Sequence, residues 1–391
     1  MDGTARLIAQ LRRERDWSQA QFADMLAQAS GNPAVTRNEV SRWEQGKRRP
    51  RRYWLEWIAV VFGMTLFDLD DLAKLSAPST SDDEAEAIEL RHRVAASDVG
   101  TRTLEQLETA VDDLAVAYPK ADPDALLARV RRHLGYVGKL LDARMTLNEH
   151  RRLVVAGSWL SLLAATCSID LGWKPVATAR LKTAAELADH GEHRELSAWV
   201  LETEAWQAVT EGEFRKAVKL SQGAQAIAPA GTSALIQATA QEGRAQARLG
   251  NTRETLRVLA EVEHLVAPLQ MPDRPEHHYR YDPAKSTAYV ATTLSWLGDP
   301  GAESIARQVL DRLEADVTRP RRAATARLDL SLALLAGGKP DEAGHVTLEA
   351  LTSGRLVPSS FWRAHEVVRA VAAQGVSGAG ELREAYEALR A

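Results

Sequence analysis

At 391 residues the chain is too long for one ordinary core, so two or more domains or a repeat array are expected. The formal net charge of −4 excludes an evenly basic, nucleic-acid-coating protein, and the single Cys167 excludes an internal disulfide, which fits a reducing cytoplasm.

Residues 3–15 predict a first helix with Leu7, Ile8 and Leu11 inward and Arg6, Arg12, Arg13 and Arg15 outward. The chain enters this charged, amphipathic helix directly, so no signal peptide is expected. Two short helices follow. Ser18 can cap the first by accepting from an unpaired amide, and Phe22, Ala23 and Leu26 then share one face. Thr36 can cap the second, whose buried stripe is Val40 and Trp43 and whose outer face carries Arg37, Asn38, Ser41 and Arg42. Gly46 stops that helix as a left-handed cap would, and Pro50 prevents it from resuming nearby. Trp43 is expected to fill the small core and Glu44 to pair with a neighbouring arginine. Residues 37–52 hold seven basic side chains against Glu39 and Glu44, a local positive patch on an acidic body.

These residues, with Leu11-Arg12, Trp17-Ser18-Gln19, Phe22-Ala23 and residues 40–46 in their spacing, resemble the phage-repressor (xenobiotic-response-element) type of helix-turn-helix over roughly residues 3–75. The resemblance implies double-stranded DNA as partner, with the second helix of the pair in the major groove. Carried over, Arg37, Asn38 and Arg42 are the base-reading residues, with Ser41 a weaker one. Gln19, Lys47, Arg48, Arg49, Arg51 and Arg52 are the phosphate contacts, though Arg51 and Arg52 also suit a solvated charge run. Residues 27–35, containing Gly31-Asn32-Pro33, connect the pair over a longer span than the family pattern, and either extend the first helix or form a wing.

Further helices are expected over residues 53–62 and 66–75, closing a five-helix domain at residues 1–75. The run 76–83 loses all periodicity and opens a linker placed at 76–90. Everything beyond is helical in period, making the expected fold class all-α. Bridging helices occupy 91–150, and a helical repeat domain occupies 151–391. The uncharged run 153–169 is long enough to tempt a membrane assignment, but its Gly and Ser content suits a helix buried in an array that holds Cys167 as a small hydrophobe. Turns near Gly172, Gly212, Gly250, Gly298 and Gly338 recur at 40, 38, 48 and 40 residues, the period of helical-pair solenoids. Ala205, Gly212, Phe214, Ala217, Ala224 and Pro229 resemble a tetratricopeptide unit.

Neither a catalytic constellation nor a cofactor motif is apparent, so no enzyme activity, cofactor or metal is expected. His277-His278 in the proline-rich interruption 268–283 are adjacent, and adjacent histidines diverge rather than converge on a metal; that loop is expected to pack its aromatics onto the array or to line a pocket. A solenoid's concave face can hold a peptide, a small effector or a protein, and Trp159, Trp173, Trp199, Trp206, Tyr281, Tyr289 and Trp296 are the candidates for it. The whole combination resembles the peptide-sensing regulators of Gram-positive bacteria and related actinobacterial regulators, which implies a cytoplasmic homodimeric transcriptional regulator. Such sensors clamp peptide backbones with asparagines, and this array has only Asn148 and Asn251. The alternative is an interaction scaffold that recruits or sequesters another protein.

Overall fold

In a computed structural model describing residues 3–69, 87–88, 99–274, 276–315 and 319–390, all regular secondary structure among the described residues is helical. The chain divides into two compact units, residues 1–96 and 97–391. Of the expected fifth helix, residues 66–69 are described and helical; the expected linker lies outside the described residues except for 87–88.

The first unit holds α1 (Gly3–Glu14), α2 (Gln19–Ser30), α3 (Arg37–Glu44) and α4 (Arg52–Phe62). Ser18 and Gln21 form a capping box at the start of α2, and the Thr36 hydroxyl accepts from the Glu39 amide at the start of α3. Residues 27–35 resolve as an extension of α2 to Ser30 rather than a wing. Gly31 ends the helix at φ 64, and the Asn32 side chain accepts from the Ala34 amide to turn the chain. The core gathers Trp17, Phe22 and Phe62 into a mutually stacked trio, with ring centroids 4.9 to 6.2 Å apart, beside buried Ile8, Leu26, Val40 and Ile58.

In the second unit, α5 (Thr101–Ala117) and α6 (Pro123–Leu141) lead into α7 (Leu147–Asp170). Pairs then follow: α8 (Lys174–His190), α9 (Arg194–Thr210), α10 (Phe214–Ile227), α11 (Ser233–Arg248), α12 (Thr252–Val266), α13 (Ser286–Leu297), α14 (Ala302–Glu314), α15 (Pro320–Ala336), α16 (Pro340–Thr352), α17 (Phe361–Ala373) and α18 (Ala379–Arg390). The α7 helix is long and apolar enough to cross a membrane, yet 89% of its apolar window is buried inside the fold. Three of its buried hydroxyls are satisfied internally, Ser158 donating to the Ala184 carbonyl, Thr166 to that of Leu162 and Ser168 to that of Ala164. Cys167 is fully buried there, and burial raises its thiol pKa.

One turn is used five times. Gly172, Gly212, Gly250, Gly298 and Gly338 all lie at φ between 71 and 79, where a side chain would be strained. At each, the glycine amide donates three residues back and the next amide donates five back, as in Gly212 to Val209 and Glu213 to Ala208. The same hydrogen-bonded stop therefore closes the first helix of each of the first five pairs, from α7 to α15, and leads into the second. First helices α7, α9, α11, α13, α15 and α17 pack in sequence against one another, which makes the second unit a tetratricopeptide-like solenoid.

Candidate nucleic-acid interface and half-open cavity

In the first unit, one buried carboxylate ties three helices together. Glu44, 8% exposed, accepts from Arg12 of α1 through both oxygens, at 2.6 and 3.0 Å, and from the Gln19 amide of α2 at 2.7 Å. Arg12 is therefore not on the outer face expected for it: its stem follows the helix surface and its head turns inward to Glu44, which raises the guanidinium pKa. Arg15 likewise folds back, donating to the Phe62 carbonyl and lying 5.1 Å over the Phe62 ring.

With α3 fixed this way, Arg37, Asn38 and Arg42 are exposed on it, and Ser41 is half-buried and accepts from Gln45. Lys47, Arg48, Arg49, Arg51 and Arg52 are exposed on the following turn. Arg42 and Arg48 share Glu39 at 3.3 and 3.1 Å, contacts open to solvent and hence weak. Gln19 has given one amide proton to Glu44 and keeps a second. The helix stop is a full left-handed motif, with Gly46 at φ 69, its amide donating to Trp43 and that of Lys47 to Arg42.

The solenoid's inner face carries a half-open cavity of about 310 Å³. Of the aromatic candidates, Trp199, Trp206 and Tyr289 line it. Trp159 lines a separate groove of about 770 Å³, Trp173 lies under Arg131 at the surface, and Tyr281 and Trp296 are core residues, with the Trp296 indole donating to Asp329. What aromatic spacing did not foretell is the charge. Six basic side chains (Arg244, Lys285, Arg321, Arg322, Arg355, Arg363) and four carboxylates (Asp170, Glu202, Glu276, Asp329) line the cavity.

Most of these carboxylates are heavily bonded. Asp170, 1% exposed, accepts from the Tyr118 hydroxyl, the Ser359 hydroxyl and the Arg321 guanidinium, so it joins α7 to the far end of the array. Glu276, strained at φ 67, pairs with Arg322 at 2.7 Å, Arg319 at 3.2 Å and Lys285 at 3.3 Å. Asp329 accepts from Trp296, Thr292 and Arg363. Glu202 accepts from the Gln237 amide at 3.2 Å and from the Thr203 side chain and feels the charge of Arg244, yet burial outweighs these and raises its pKa to about 7. A sequence cue existed: single charges inside otherwise apolar helical runs, such as Asp170 after residues 153–169 or Asp329 between Leu328 and Leu330, are charges the fold must bury.

The interruption between α12 and α13 runs across the array as a strap. His277 and Arg280 meet Asp112 at 3.1 Å each, and the His278 amide donates to the Ala115 carbonyl. Tyr279 lies between Trp159 and Trp199, at 4.7 and 5.3 Å. Burial lowers the His278 pKa to about 3, so the ring is neutral. Among the described residues no cluster of three metal-ligating side chains is present. The two adjacent histidines part company as expected, His277 lining the outer groove and His278 the cavity.

Residues 8–69 match a family model described as helix-turn-helix (HTH_3). The first unit is a helix-turn-helix domain. A chain that carries one is read as a DNA-binding transcriptional regulator. No curated protein matches the chain. Among solved structures it is similar to Bacillus thuringiensis PlcR, crystallised in complex with the peptide PapR7 and DNA, at 11% identity and a TM-score of 0.33, covering 88% of this chain and 99% of that one. It is also similar to the apo form of the competence regulator ComR from Streptococcus vestibularis, at 13% identity and a TM-score of 0.28, covering 88% of this chain and 98% of that one. At that distance, function has to be argued from this chain's own residues.

Proposed function

We propose that the protein is a cytoplasmic, homodimeric, sequence-specific transcriptional regulator in which α3 reads the major groove and the solenoid holds an effector. The observation that carries this is the exposed face of α3. Arg37, Asn38 and Arg42 stand in solvent on a helix that Glu44 holds rigidly against α1 and α2. An arginine there suits the O6 and N7 acceptors of guanine and an asparagine suits adenine, with Ser41 a weaker contact. Gln19, Lys47, Arg48, Arg49, Arg51 and Arg52 would hold phosphates, which position the domain without reading sequence. The Glu39 pairs with Arg42 and Arg48 are exposed, so DNA can replace that carboxylate at little cost.

Domains of this kind bind two half-sites related by twofold symmetry, about one helical turn apart. An effector in the array, whether peptide or small molecule, would act only by binding one dimer geometry better than another. Selection of binding sites from randomised duplex DNA by the full-length protein, at two salt concentrations, tests the proposal. It predicts an enriched inverted repeat. Enrichment of nothing, with binding lost as salt rises, would reduce the DNA contact to electrostatics and favour an interaction scaffold.

A further inference from the structure

The cavity's positive charge is unevenly matched. Arg244, on α11, has no carboxylate within ion-pair distance among the described residues. It donates to the neutral Gln241 at 3.0 Å and lies 4.4 Å over the Tyr289 ring, and its buried Nε–H has no acceptor. Arg363, on α17, lies 4.7 Å over the Trp296 ring and 5.5 Å over that of Trp362, and makes one hydrogen bond of 3.3 Å to an Asp329 oxygen that already accepts from Trp296; its Nε–H is also buried without an acceptor. Arg248 stands close enough, with Arg244, to oppose the charge on Arg363, and is itself committed to Glu366 at 2.7 Å. Like charges held together in a low-dielectric interior with donors left over are unfavourable until something brings an acceptor. Glu202, the neighbouring carboxylate, does not supply a full negative charge near neutrality, because burial favours its protonated form.

The strap limits the size of what can enter. It crosses the inner face as a run of turns of the chain itself, with Tyr279 filling the space between Trp159 and Trp199. What remains, about 310 Å³, is at the small end of ligand cavities and suits a compact molecule rather than a long extended peptide.

We propose that this cavity binds a compact organic anion, its carboxylate or phosphate group held by Arg244 and Arg363 and its apolar body against Trp206 and Leu313. The inference rests on the cavity being the effector site and adds the charge and size of the effector. Guanidinium forks match both oxyanions, so either group satisfies the geometry, and the experiment separates them.

The test is isothermal titration of the full-length protein with 3-phenylpropionate, phenyl phosphate and the uncharged 3-phenylpropanamide. The expected result is binding of at least one acid, with the amide weaker by at least about tenfold. Arg244→Gln is expected to cost the acid about tenfold or more, while Arg244→Lys keeps part of the affinity. The preference between the two acids identifies the oxyanion. Equal binding of acid and amide, absence of acid binding, or full acid affinity in Arg244→Gln would overturn the proposal. Should Arg244→Gln fail to fold, the acid-to-amide ratio of the wild-type protein decides. Acid binding that leaves affinity for the selected operator unchanged supports the anion site and removes its role as effector. Acid binding with no operator enriched supports the site and removes the DNA-reading proposal.

Discussion

The two units handle charge in opposite ways. The helix-turn-helix unit turns its charge from Arg37 to Arg52 outward, and its one buried carboxylate among the described residues, Glu44, is fully bonded to α1 and α2. The solenoid turns charge inward, with Asp170, Glu202, Glu276 and Asp329 buried around a cavity that also holds arginines. Outward charge meets a large polyanion at low desolvation cost, whereas inward charge is expensive and is best explained by something enclosed.

The sharpest way to break that contrast is at Glu44. Glu44→Ala leaves Arg12 charged and largely buried without its partner, and the first unit is expected to lose about 3–5 kcal/mol, measured by urea unfolding. A loss below about 1 kcal/mol would mean that the clamp is ornamental.

In the solenoid the opposite sign is expected from Glu202→Gln. Burial raises the folded pKa from 4.5 to about 7, so the protonated form prevails in the folded protein below that pH. Stability from this group is complete below the unfolded value of 4.5 and is lost as pH rises through about 7. The substitution should therefore stabilise the array by on the order of 2 kcal/mol at alkaline pH and by little at pH 5, seen as a flatter plot of thermal midpoint against pH. An equal effect at both pH values would show that Glu202 stays ionised.

Arg42→Ala tests whether the outward charge reads sequence: about 1–3 kcal/mol of discrimination should vanish at one base position of the selected site, with the others kept. Gly212→Ala sharpens the architectural side of the comparison. It should cost about 1–2 kcal/mol, because a side chain is strained at φ 79, and hydrogen exchange should rise mainly in α9 and α10, since solenoid units depend on their neighbours only. Exchange rising evenly over the whole array would argue for a single cooperative core instead.

How much of this the sequence displayed follows from the range of each interaction. Ser18, Thr36 and Gly46 act within a few residues, and so do the five turn glycines, so the helix-turn-helix pair and the solenoid period were both legible. Arg12 was placed outward because helical periodicity puts it at the edge of the apolar face, and its partner Glu44 lies 32 residues away. The cavity was least legible. Asp170 meets Arg321 across 151 residues, and aromatic spacing found Trp199, Trp206 and Tyr289 on its wall but said nothing of the arginines beside them. The strap was visible only as an interruption of the repeat, since its course is set by Asp112 and Ala115 on a distant helix.

The most direct test of outward against inward charge is the salt dependence of operator binding, compared for the wild type, Lys47→Ala and Arg244→Gln. Lys47→Ala should weaken binding to all sequences alike and lower the slope of log affinity against log salt by about 1, while Arg244→Gln leaves that slope unchanged. A slope altered by Arg244→Gln, or untouched by Lys47→Ala, would contradict the division of charge on which the account rests.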